Sequence, residues 1–148
     1  MGYTSALAEN NIEVNLDYVC VDLDDKYNML NETEAARYDS LRAYIAEIIG
    51  QMRAEGVTCI LCQNDWVAVE LYSVCEELGI SVPDDMCIMG FDNMDELNNM
   101  HGGDKIITVE QDFYEIGVRA GETILKEIRG EEKGIRDVVP VKLITRDY

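Results

Sequence analysis

The sequence predicts an α/β fold in which a parallel sheet is covered by helices on both faces. Short β-forming runs alternate with runs of helical length, the connections between them are brief, and one strand is apolar along its whole length. At 148 residues the chain is the size of one domain and can bury a core of its own without disulfides.

Residues 2–10 predict a short helix with Tyr3, Ala6 and Leu7 on one face. Residues 16–22, LDYVCVD, are rich in β-formers and predict a strand. Asn31 followed by Glu34 offers a capping-box start to a long helix over residues 32–55, closed by Gly56. Within it Leu41, Tyr44, Ile45, Ile48, Ile49 and Met52 keep helical spacing. Residues 57–62 form a continuous apolar run and predict a strand buried on both faces. A helix over residues 66–78 stops at Gly79, and the turn Val82-Pro83-Asp84-Asp85 leads into a strand at 86–91. Residues 105–109 predict another strand, 112–128 a helix ending before Gly130, and 138–144 a last strand.

Charge and composition exclude several functions. Thirty acidic residues against twelve basic ones leave a net charge of −18, with no basic patch to offset it. Such a surface repels phosphate, so this chain is expected to hold neither DNA nor an anionic membrane. No run of 18 apolar residues exists to span a bilayer. The N-terminal MGYTSALAENN lacks the basic and apolar regions of a secretory signal. Five cysteines, Cys20, Cys59, Cys62, Cys75 and Cys87, are an odd number scattered through apolar segments and read as reduced, buried thiols in a cytoplasmic protein. Cys59 and Cys62 have the CxxC spacing, but residues three apart on a strand point to opposite faces. They can neither close a disulfide nor share a metal there. His101 is the single histidine, so no metal site is expected. No GxGxxG or GxxxxGK[ST] loop is present, and no cofactor is expected either.

Polar side chains gather instead at the strand ends. Asp22 closes the first strand, Asn64-Asp65 the second, and Asp92-Asn93 follows MGF. In open α/β sheets the carboxyl ends of the strands form the ligand crevice. Short carboxylates and amides there suit a neutral polyhydroxylated ligand, because each fixes a hydroxyl in a set direction. An enzymatic alternative rests on Asp22 and Asp24, whose D-x-D after an apolar strand is similar to the nucleophile motif of haloacid-dehalogenase-like phosphatases. Asp25-Lys26 departs from that motif and the following stretch lacks the usual cap insertion, so no enzyme is expected.

Several segments, in order, resemble the C-terminal half of the effector-binding core of LacI/GalR regulators. They are TCILCQND (58–65) with Ala68, ELGISVPDD (77–85), IMGFD (88–92), ITVEQDF (107–113) with Ile116, Gly117 and Ala120, and VPVKLITR (139–146). Gly2-Tyr3 with Ala6-Leu7 resembles a further family segment. The resemblance implies a Rossmann-like lobe of a type I periplasmic-binding-protein-like fold, closing on a sugar-sized cleft. It implies effector contacts at Asn64, Asp92, Gln111 and Phe113, with Asp22 or a neighbour up to Tyr27 on a further loop. Asp65 is implied as the helix cap, and Trp66 is placed to stack on a sugar face.

The family's effector-clamping arginine would stand upstream of Met1, as would the N-terminal lobe and the DNA-binding helix-turn-helix. The expectation is therefore a piece of the sensing domain of a LacI-type transcriptional regulator, itself lacking DNA binding. A sugar-binding component of an ABC transporter is the alternative within the fold. In this scheme residues 1–109 belong to the C-terminal lobe, 110–130 form a crossover helix normally packed on the other lobe, and 131–148 return. The crossover helix carries Phe113, Ile116, Gly117, Ala120, Ile124 and Ile128 along one stripe, and with the family's habit of pairing through this lobe it predicts a homodimer.

Overall fold

The computed structural model describes residues 2–20, 33–131, 133–134 and 136–146. The chain divides into two compact units, Met1–Gly56 and Val57–Tyr148.

In the first unit, α1 spans Gly2–Glu9. The strand expected at residues 16–22 is replaced at its start by a single 3-10 turn, Leu16–Tyr18. Asn15 Oδ1 accepts the Asp17 N–H at 3.0 Å, and this local bond competes with an extended backbone. The remainder of that segment from residue 21, with Asp22, Asp24 and Tyr27, lies outside the described residues. Helix α2 spans Glu34–Ala54, and its N-cap is Thr33, whose hydroxyl accepts the Ala36 N–H at 3.4 Å, in place of Asn31. Of its expected apolar face, Ile45, Ile49 and Met52 are buried and Leu41, Tyr44 and Ile48 partly so.

The second unit holds β1 (Cys59–Leu61), α3 (Asp65–Glu77), β2 (Cys87–Met89), β3 (Thr108–Glu110), α4 (Phe113–Arg129) and β4 (Lys142–Ile144), with 3-10 turns at Leu97–Asn99 and Gly103–Lys105. Strands β1 and β2 pair in parallel, with Cys59 opposite Cys87 and Leu61 opposite Met89. Parallel bridges from Met89 to Ile107 and from Asp92 to Glu110 carry the sheet on to β3. Strand β4 joins β3 antiparallel, with Thr108 opposite Ile144, a common way to finish an otherwise parallel sheet.

The α/β lobe is therefore the one predicted, but β1 is not buried on both faces. Alternation exposes Cys59 and Leu61 while Ile60 turns the other way. Cys20 is exposed as well and Cys87 is only partly buried, so of the five thiols Cys62 and Cys75 alone are core residues. The core lies between α3, through Ala68, Leu71, Val74 and Cys75, and the sheet, through Ile88 and Ile106, with Met86 and Leu97 beside them. Each large apolar side chain buried there contributes roughly 1.5–3 kcal/mol. That packing fixes where β1 and β2 end and α3 begins, and the candidate site sits on those ends.

Candidate ligand site

Asn64 is the residue between β1 and α3. Its extended backbone and Oδ1, which accepts the Val67 N–H at 3.0 Å, make it the N-cap. The cap expected of Asp65 thus belongs to Asn64, because Asp65 is already helical and its carboxylate is engaged elsewhere. Asp65 is fully buried. Its Oδ1 accepts the Thr108 hydroxyl at 2.6 Å and its Oδ2 the Met94 N–H at 2.9 Å. Its own N–H donates to Phe91 O at 2.9 Å, which ties the end of β1 to the residues after β2.

Asp92 follows β2 and donates its N–H to Val109 O at 2.8 Å, locking the ends of β2 and β3 together. Its φ is +105° and that of Asn93 is +50°, two successive left-handed residues that are not glycine. Gln111, just past β3, donates from Nε2 to Asp92 Oδ1 at 2.6 Å. Asp112 then caps α4 by accepting the Glu115 N–H at 2.8 Å.

Of the residues singled out in the sequence, Asn64, Asp92 and Gln111 stand at the carboxyl ends of three successive sheet positions. Trp66 and Phe113 sit in the first turns of α3 and α4, both more than half exposed, on helices that start from that same edge. Asp22 lies outside the described residues. The residue that sequence reasoning missed is Thr108. In the apolar run Ile106-Ile107-Thr108-Val109 it reads as one more β-former. Only the pairing with Asp65, forty-three positions away, reveals its polar role.

Chemically this edge offers directed hydrogen bonds. Asn64 Oδ1 is used by the cap, which leaves its amide hydrogens to donate. Asp92 has Oδ2 to accept with, and Gln111 a carbonyl oxygen. The N-termini of α3 and α4 add partial positive charge at this edge. The CxxC pair adds no nucleophile. Cys62 is buried and its thiol is pushed up to about 12, by burial first and then by the neighbouring Cys59, Cys75 and Asp65. Among the described residues no group of three His, Cys, Asp or Glu side chains could hold a metal ion, and no helix is long and apolar enough to cross a membrane. His101 pairs instead with Glu76 at 2.9 Å.

A parallel-sheet lobe with amide and carboxylate side chains collected on its strand ends is one half of a small-molecule-binding domain. The family model for the periplasmic binding protein-like domain matches residues 2–147, and the chain belongs to that family, in the form LacI/GalR-type regulators use as their effector-binding domain. It is 28% identical over 131 residues to the HTH-type transcriptional repressor PurR of Vibrio campbellii, covering 88% of this chain and 34% of that one. A regulatory protein of the LacI family from Chloroflexus aggregans superposes with a TM-score of 0.71 over 98% of this chain and 47% of its own, at 20% identity. A LacI family regulator from Enterococcus faecium, solved with bound ribose, gives a TM-score of 0.56 at 28% identity, over 71% of this chain and 39% of its own. The chain spans little more than a third of the length of the curated repressors it matches.

Proposed function

We propose that this chain is one lobe of the effector-sensing domain of a LacI-type transcriptional regulator. It receives a small neutral polyhydroxylated metabolite, a sugar first of all, at Asn64, Asp92 and Gln111. The observation that carries the reading is the 2.6 Å bond from Gln111 to Asp92 at the ends of neighbouring strands, beside the Asn64 cap. A carboxylate held by an amide at a crevice edge is a pre-organised acceptor for a sugar hydroxyl. Exposed Trp66 and Phe113 supply apolar surface for the ring's C–H face. The ribose bound by the Enterococcus faecium relative supports the ligand class.

In this reading residues 1–109 and 131–148 form the lobe and 110–130 cross over. The chain is cytoplasmic, acts without catalysis, and pairs with a second copy. DNA is read by another part of the regulator, because a net charge of −18 opposes any contact with phosphate here. The one-lobe site buries only part of a ligand, so affinity near millimolar is expected, about −4 kcal/mol. Calorimetric titration with ribose, arabinose, lactose, sucrose, a nucleoside and an amino acid tests the class. Heat from the nucleoside or amino acid with all the sugars silent would overturn it.

A further inference from the structure

We propose that Asp65 and Thr108 are positioning residues that set the stance of the Asp92 carboxylate, an inference that rests on the ligand site described above. Neither touches the crevice edge, since both are wholly buried. Asp65 is also not needed as a cap, because Asn64 already accepts the Val67 N–H. A buried carboxylate is costly unless fully hydrogen-bonded. Besides the Thr108 hydroxyl, the Asp65 carboxylate holds the segment that follows Asp92, through the Met94 N–H.

The arrangement is a short relay from helix α3 to the loop. The Thr108 hydroxyl donates to Asp65 Oδ1 at 2.6 Å and accepts the Asn93 N–H at 3.3 Å. Asp65 Oδ2 accepts the next amide, Met94 N–H, at 2.9 Å. Two consecutive loop amides therefore end on one buried polar pair. Those amides belong to, or directly follow, Asp92 and Asn93, whose φ values of +105° and +50° a non-glycine backbone adopts only when its surroundings demand it. Released from the pair, the loop relaxes toward negative φ and swings the Asp92 side chain away from Gln111. The relay thus converts interior packing into the direction of one carboxylate on the surface.

Thr108→Val removes the hydroxyl at almost constant shape, and Thr108→Ser restores it. The readouts are the intraresidue HN–Hα Overhauser effects of residues 92 and 93, strong at positive φ, the Gln111 side-chain amide shift, and affinity for D-ribose as probe. The valine variant is expected to weaken both Overhauser effects, move the Gln111 amide, and bind ribose at least tenfold more weakly, with serine within about twofold of the native protein. A valine variant that only loses stability, with the loop signals and Gln111 unmoved, overturns the proposal. If the native protein ignores ribose, the sugar reading fails for that probe, while the ligand-free signals still decide the relay. If the valine variant does not fold, hydrogen exchange of the native protein decides it. Asn93 and Met94 amides slowed at least a hundredfold relative to a free loop support the relay, and loop-like exchange overturns it.

Discussion

Replacing Gly90 by alanine is expected to cost roughly 3–5 kcal/mol of folding stability. A Cβ at this position would stand 3.2 Å from Asp65 Cα and 3.3 Å from Ala68 Cβ, and would overlap Asp65 Oδ1. The carboxylate cannot step aside, because Thr108 grips it at 2.6 Å and Met94 N–H at 2.9 Å inside the core. One outlet is for α3 to lift from the sheet, an overpacking strain of about 1–3 kcal/mol. The other is to break the Asp65 bonds, each hydrogen bond to a charged group contributing about 1.5–3 kcal/mol. A mixture of the two gives the range above. Urea unfolding followed by the fluorescence of Trp66, the single tryptophan, should show a lower midpoint at unchanged slope. At about 2–4 °C per kcal/mol the melting temperature should fall by roughly 10 °C. Gly50→Ala, one turn before the end of α2 with nothing within 4 Å of the added methyl, is the control and should gain up to about 1 kcal/mol. A Gly90→Ala protein within about 1 kcal/mol of the native one would refute the idea that Asp65 is clamped.

Asp92→Ala should weaken sugar binding at least tenfold, about 1.4 kcal/mol, while shifting stability by less than about 1 kcal/mol, because the side chain is only half-buried. Calorimetry alongside urea unfolding separates the two, and unchanged affinity removes Asp92 from the site. Ile124→Glu, in the exposed stripe of α4, should convert a dimer to a monomer in light scattering, and a native protein already monomeric would sink the pairing. Alkaline pH should destabilise the fold through Cys62. Its folded thiol keeps its proton to about pH 12 while the unfolded one releases it near 9, so this stability is complete below pH 9 and is lost as pH rises toward 12. Cys62→Ala should flatten the stability curve over that window, and an identical curve would exclude this thiol as the cause.

Sequence pattern made the second unit legible because its punctuation is local. Gly79 and Gly130 end helices, Asn64 and Asp112 start them, and the strands between are apolar. The strand ends then brought Asn64 and Asp92 into view by topology, whereas Gln111 came only from the resemblance to LacI/GalR regulators. What escaped depends on contacts distant in the chain or on bonds closer than any window. At residues 16–18, β-forming composition lost to one Asn15 side-chain bond. The exposure of Cys59 and Leu61 could not be read from a run whose two faces are equally apolar. Asp65 looked like a cap because caps are what aspartates beside helix starts usually are. Its partner Thr108 was hidden for a similar reason, since threonine on a strand is ordinarily read by shape rather than by its hydroxyl.

The antiparallel pairing of β3 with β4 gives the binding edge a place in time. Strands β1 and β2 with α3 between them are contiguous in the chain and can consolidate soon after synthesis. Strand β3, which leads to Gln111, gains its second neighbour only across the whole of α4, when residues 142–144 arrive. Arg146 then donates from Nε to Ile106 O at 2.9 Å and from Nη1 to Asn98 at 3.2 Å, fixing the start of β3. Long-range pairings of this kind form late, since the loop must close before the contacts reward it. On a ribosome, Asn64 is in position while Gln111 still lacks its support, and this edge of the sheet is complete only after residue 146 has cleared the exit tunnel.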